Sequence, residues 1–192
     1  MSLREINRAA GQSNTGAVQY YFGDRPSLVV AVIARHRRAD EIRRHTLLDE
    51  CERTARGDLR ELAGALVLPL AANLADPDGG RAYLIISAEW YLRATVDDLV
   101  EHRVADTSFE RWTRLHAELT DDGDAVPPTR FAAIRFTLME LSRRARQPAE
   151  APGDDALFTA HLVDLVTALL GARPTEDTQR LLAARPRTGA RR

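Results

Sequence analysis

The stretch Ser2–Leu28, SLREINRAAGQSNTGAVQYYFGDRPSL, decides how the rest of the chain is read. Its first half sets Leu3, Ile6 and Ala10 at helical spacing, with Arg4, Glu5, Asn7 and Arg8 on the opposite side. Gly11 then supplies the backbone freedom that a helix stop requires. Ser13 or Asn14 is placed to cap a second helix by accepting from a free amide of its first turn, and that helix carries Ala17, Val18, Tyr20, Tyr21 and Phe22. Gly23 and Asp24 close it and start a third. Two helices around a short glycine-containing turn describe a helix-turn-helix, whose second helix enters the major groove of DNA while its flanks hold phosphates. The alternative is an ordinary helical hairpin in an all-α protein.

The later segments with a regular pattern also read as helices, so the expected fold class is all-α. Arg25 to about Arg53 forms one long connector, with a stripe of Leu28, Val32, Ala39 and Ile42 beside Val29 and Ile33. Its cluster Arg35, His36, Arg37, Arg38, Arg43 and Arg44 reads either as a solvated face or as a row grazing phosphates. Gly57 and Asp58 start a helix through Leu59, Leu62, Leu66, Leu70 and Leu74, and Pro69 inside it removes one amide donor and should kink it. DPDGG at 76–80 is a turn. The run 81–95 is apolar almost all round, as a central buried helix would be. Residues 97–121 are helical with a break near Asp106 to Ser108, and 121–128 form a loop. Two strong helices follow, Thr129 to about Arg146 and Asp155 to Gly171, and then a short one through Leu181 and Leu182 ahead of a basic tail expected to be disordered.

The quoted stretch resembles the signature of the TetR-type (tetracycline-repressor family) transcriptional regulators. The anchors Ile6, Ala10, Gly11, Ser13, Phe22, Arg25 and Leu28 stand in the family's order, over roughly the first thirty residues. There are departures: one extra residue lies between Gly11 and Phe22, Gln19 stands where the family usually has Tyr, Tyr21 where it has His, and Arg25 where it has Lys. The resemblance implies a DNA-binding module of three helices, yet this chain starts where the second one starts. Uncovering three apolar side chains that a first helix shields forfeits on the order of 5 kcal/mol, at ~1.5–3 kcal/mol each.

On this reading the candidate DNA-contacting residues are Ser2, Ser13, Asn14, Thr15, Gly16, Gln19, Tyr20, Tyr21 and Arg25. Asn14, Thr15 and Gln19 offer polar atoms to base edges, and Tyr20, Tyr21 and Arg25 hold phosphates. The layout expected is 1–46 for the helix-turn-helix module and connector, 47–173 for a ligand-binding and dimerisation domain, and 174–192 for a short helix and basic tail.

Charge supports a basic head on an acidic body. Residues 1–48 hold eight Arg against four acids, and 49–184 hold fifteen Arg against twenty-four, within a net charge of −1. Phosphate contact is the main source of nucleic-acid affinity, and the excess of Arg lies at the helix-turn-helix end. All 27 basic residues are Arg, which bonds phosphate and guanine bidentately. The longest apolar runs are too short or too interrupted to span a bilayer and no secretory signal stands out, so the expectation is no membrane partner and a cytoplasmic location. Cys51, the single cysteine, reads as a small apolar filler.

No catalytic motif is present, and an enzyme is not expected. No metal or cofactor is expected either: His102 with Asp106, and Glu41 with His45, each lack two further ligands. Tyr83, Trp90, Trp112, Phe136 and Met139 are candidates to surround an apolar small-molecule effector, with Glu89 as a buried carboxylate that recognises it; core packing explains the aromatics equally well, and an ion pair with Arg93 explains Glu89. The last two strong helices carry doubled apolar rows, more than one subunit needs. Phe131, Ile134, Leu138, Leu141, Leu162, Leu165 and Leu169 are therefore assigned to a homodimer interface. The function these readings imply is a homodimeric, ligand-responsive repressor on a palindromic operator. The alternative is a ligand-binding dimerisation protein whose truncated head no longer binds DNA firmly.

Overall fold

The computed structural model describes residues 20, 23–53, 58–93, 107–120, 129–147 and 153–184. Among these the regular structure is entirely helical: α1 Arg25–Arg53, α2 Leu59–Ala71, a 3-10 turn Ala72–Ala75, α3 Gly80–Arg93, α4 Thr107–Leu119, α5 Thr129–Ala145, α6 Asp154–Leu170 and α7 Glu176–Ala183. The all-α expectation holds for the described residues. None of their helices is long and apolar enough to cross a membrane.

Helix starts follow from local chemistry. Asp24 takes the Ser27 N–H at 2.8 Å ahead of α1, a bond that holds its carboxyl below the usual carboxylate range. Asp58 does the same for α2, accepting from Arg60 N–H at 3.0 Å. Helix α2 carries through the buried Pro69 and ends two residues later, where the chain tightens into the 3-10 turn. Gly80 opens α3 in close quarters: a Cβ there would collide with the carbonyl oxygen of Asn73 and with Asp76. Only glycine fits, so the turn at 77–79 is pulled tight against the end of the 3-10 segment.

The core lies where α2 packs on α1 and α6, and α3 on α5. Leu62, Leu66 and Val67 of α2 meet Leu48 of α1, Trp112 of α4, Leu138 and Leu141 of α5, and Leu162 and Val166 of α6 in one buried cluster. Trp112 is fully buried, and its indole N–H donates to the Leu62 carbonyl at 2.8 Å. That bond satisfies the one polar atom the side chain brings inside.

Two expectations change here. Ile134, Leu138, Leu141 and Leu162, assigned to a dimer interface, are buried within the single chain, because α5 packs on α3 and α6 packs on α2 with those rows. The exposed rows of the same helices are Phe131 and Met139 on α5, and Leu157 and Leu165 on α6; Leu169 is half-buried against the core. The stripe expected on α1 is also displaced. Ile42 is 62% exposed, and the face that packs inward is His36, Asp40, Arg44, Leu48 and Cys51. That face runs on past residue 46, where the sequence alone set a boundary, without a break in the helix.

Candidate functional site

Of the candidate DNA-contacting residues, Ser2, Ser13, Asn14, Thr15, Gly16, Gln19 and Tyr21 lie outside the described residues. Tyr20 is helical and exposed, and Arg25 is the first residue of α1. On α1 the expected solvated basic row divides in two. Arg35, Arg38 and Arg43 face water, whereas His36 and Arg44 turn inward.

The inward face of α1 forms the most elaborate polar constellation among the described residues. Asp40 is 2% exposed and accepts from Asn73 Nδ2 at 2.9 Å and from the Tyr83 hydroxyl at 2.8 Å. Asn73 Nδ2 also reaches the Pro69 and Leu70 carbonyls at 3.3 and 3.1 Å, which places it between the end of α2 and the carboxylate. One turn before Asp40, the His36 ring stacks on Tyr83 with centroids 4.8 Å apart, and its Nδ1 lies 3.4 Å from Asp76 Oδ2. One turn after it, Arg44 donates to Glu41 at 3.3 Å and to Ser108 Oγ at 3.0 Å, with its guanidinium 5.4 Å from the centre of the Phe109 ring. Burial raises the Asp40 carboxyl, against the opposing pull of Asn73, Tyr83, Arg44 and Arg43. Burial, with the Asp40 charge beside it, likewise raises the Tyr83 hydroxyl.

Further along α1 the same helix is clamped to α4 by charge. Arg111 bonds both oxygens of Glu52, at 2.9 and 2.6 Å, and lies 2.7 Å from Asp49. Its guanidinium holds Glu52 below the usual range.

The candidate effector residues do not enclose one chamber. Tyr83 belongs to the polar constellation, and Trp112 is closed off in the core against Phe109 and His116, with ring centroids at 5.7 and 5.9 Å. Trp90 is half-buried with Tyr91 edge-on at 6.3 Å, and Phe136 is half-buried against the core. Met139 and Glu89 are corrections: both are exposed, and Glu89 pairs with Arg146 of the segment after α5, at 3.2 Å, instead of burying itself. An ionised carboxylate goes to water when its helix has an outer face available.

At the outer surface, a groove of about 400 Å³ opens between α5 and α6, lined by Arg144, Asp154, Leu157, Phe158 and His161. Arg144, one of the lining residues, is bonded to Asp155 at 2.7 Å and lies 5.8 Å over the Phe158 ring. Sequence reasoning missed the α1 constellation, because its partners come from three other segments. No three His, Cys, Asp or Glu side chains group as metal ligands among the described residues. No family model matches the chain, and neither a curated protein nor a solved structure matches it.

Proposed function

We propose that this chain is a DNA-binding transcriptional regulator of TetR type, acting as a homodimer whose two heads read two half-sites of a palindromic operator. The observation that carries the reading is the run AAGQSNTGAVQYYFGDRPSL at 9–28, in which helix stop, cap, aromatic pair and the next helix start follow one another in the family's order. Two structural facts support it. A single 29-residue helix begins at Arg25, within the last residues of that run, capped by Asp24, and its inner face is fixed to an all-helical body. Helices α5 and α6 also retain an outward apolar row each after the core has taken its share. A repressor released by a small molecule is the form of regulation the resemblance implies, with the half-buried Trp90 and Phe136 as the aromatic groups left for an effector to meet.

In this reading Asn14, Thr15 and Gln19 face base edges, and Tyr20, Tyr21 and Arg25 face phosphates. Selection from a random duplex pool at low salt should enrich a palindrome. Arg25→Ala should then weaken all duplexes alike and lower the salt slope by about one, whereas Gln19→Ala should alter preference at one position. Failure of a folded dimer to enrich any duplex would leave the second reading, a ligand-binding dimer without firm DNA affinity.

A further inference from the structure

Helix α7 is specified by its own sequence and left without a surface beneath it. The Thr175 hydroxyl takes the Thr178 N–H at 3.4 Å ahead of a first turn that holds Glu176 and Asp177, and Arg180 in the last turn pairs back with Asp177 at 2.8 Å. Acids at the amino end and a base at the carboxyl end both suit the helix dipole. Yet Glu176 through Leu181 and Ala183 are all exposed, Leu181 by 72%. A helix of 8 residues needs packing to persist, because isolated helices shorter than about 12–15 residues are marginal in water. Its own chain, as folded, buries none of those side chains.

We infer that α7 is an exchanged arm, resting on the homodimer reading: in the dimer it lies in the groove between α5 and α6 of the other subunit. That groove of about 400 Å³ carries an apolar wall of Leu157 and Phe158 between Asp154 and His161, with Arg144 beside it. On the outer face of α6, the exposed Leu157 and Leu165 stand one turn to either side of His161. A two-fold axis crossing α6 at His161 pairs the helix antiparallel with its copy, so that Leu157 faces the partner's Leu165. The partner's Gly171 then falls just past the amino end of α6 at Asp154. A short connection leads from there to the partner's α7, which enters beside the groove. The route within one chain is longer. Leu170, the last residue of α6, lies about 20 Å from Leu157 along the helix at 1.5 Å per residue, and α7 would have to double back over that length.

Charge agrees with the fit. With Leu181 on the Leu157–Phe158 wall, Arg180 beside it comes within reach of Asp154. The acidic first turn of α7 then meets the amino end of α6, where Gly153 supplies no side-chain cap and Arg144 adds positive charge.

The test uses the full chain with its buried Cys51 replaced by Ala. Two single-cysteine versions, Leu181→Cys and Leu157→Cys, are co-expressed and treated with a short bis-maleimide. Mixed dimers should cross-link, in a yield that neither version reaches alone. His161→Cys by itself should link to its copy, which reads the pairing of α6 without the arm. Leu181→Glu should raise the dimer Kd at least about tenfold in sedimentation, since each dimer loses two covered leucines. A dimer whose positions 181 and 157 do not link, a link that forms within one chain carrying both cysteines, or a Leu181→Glu dimer as tight as wild type would overturn the arm and leave the dimer standing. A dimer in which His161→Cys does not link would overturn the pairing that brings the arm to the groove. A chain that sediments as a monomer would overturn the homodimer, and the arm with it.

Discussion

Replacing Leu157 and Leu165 by Glu separates the outward row of α6 from its inward row. The two side chains are 75% and 40% exposed, and Phe131 and Met139 on α5 are 45% and 52% exposed. Together the four leave in water about two whole side chains of apolar surface per protomer, ~3–6 kcal/mol at 1.5–3 kcal/mol for each full burial. If these rows meet their copies in a dimer, the two Leu account for roughly half of that on each side. Their loss from both protomers then removes about 3–6 kcal/mol of association, at least about a hundredfold in Kd. Carboxylates brought into an apolar contact add to the loss. The fold itself should barely respond, because substitutions at exposed helix positions stay within about 0.5 kcal/mol. Sedimentation equilibrium across a range of concentrations is the assay, with far-UV circular dichroism to confirm unchanged helix content. Wild type should be dimeric and the double variant monomeric. A variant that associates as tightly as wild type refutes the assignment of these rows. Leu138→Arg makes a poor substitute, since Leu138 is buried and the change would break the core of each protomer before it touched an interface.

Two further substitutions probe the interior. Ala133 is fully buried on α5, so Ala133→Phe should cost about 1–3 kcal/mol or more in urea unfolding, as overpacked cores do; a neutral change would reveal empty space for an effector at that point. Gly80→Ala forces the Asn73 carbonyl and Asp76 apart and should cost more than the few tenths of a kcal/mol typical of an exposed site. Because Asn73 holds Asp40, its loss of stability should come with faster exchange in α1, and an unchanged melting curve would contradict the close approach described at that turn.

Much of the helical architecture was legible in the sequence because its causes are local. Asp24 and Asp58 accept amide protons within three residues of themselves, each just ahead of the helix it starts. The apolar spacing from Thr129 onward marked α5 to within a residue, and that from Asp155 marked α6 equally well. Periodicity also showed that each of these helices carries two apolar rows. Which row turns inward has no local cause: Leu138 and Met139 are equally apolar, and packing against α3 and α6 buries the first and leaves the second exposed.

The same limit hid the seam on α1. In the sequence His36, Asp40 and Arg44 are a charged helix face, and charged faces ordinarily point to water. What turns them inward is the arrival of Asn73, Tyr83 and Ser108, at separations of 33, 43 and 64 residues, each bringing a donor or acceptor to the position where a buried charge needs one. A helix's length and ends are set by neighbours along the chain, so the sequence alone determines them. Whether a charge can be buried is set by partners across the fold, and only the tertiary structure decides that.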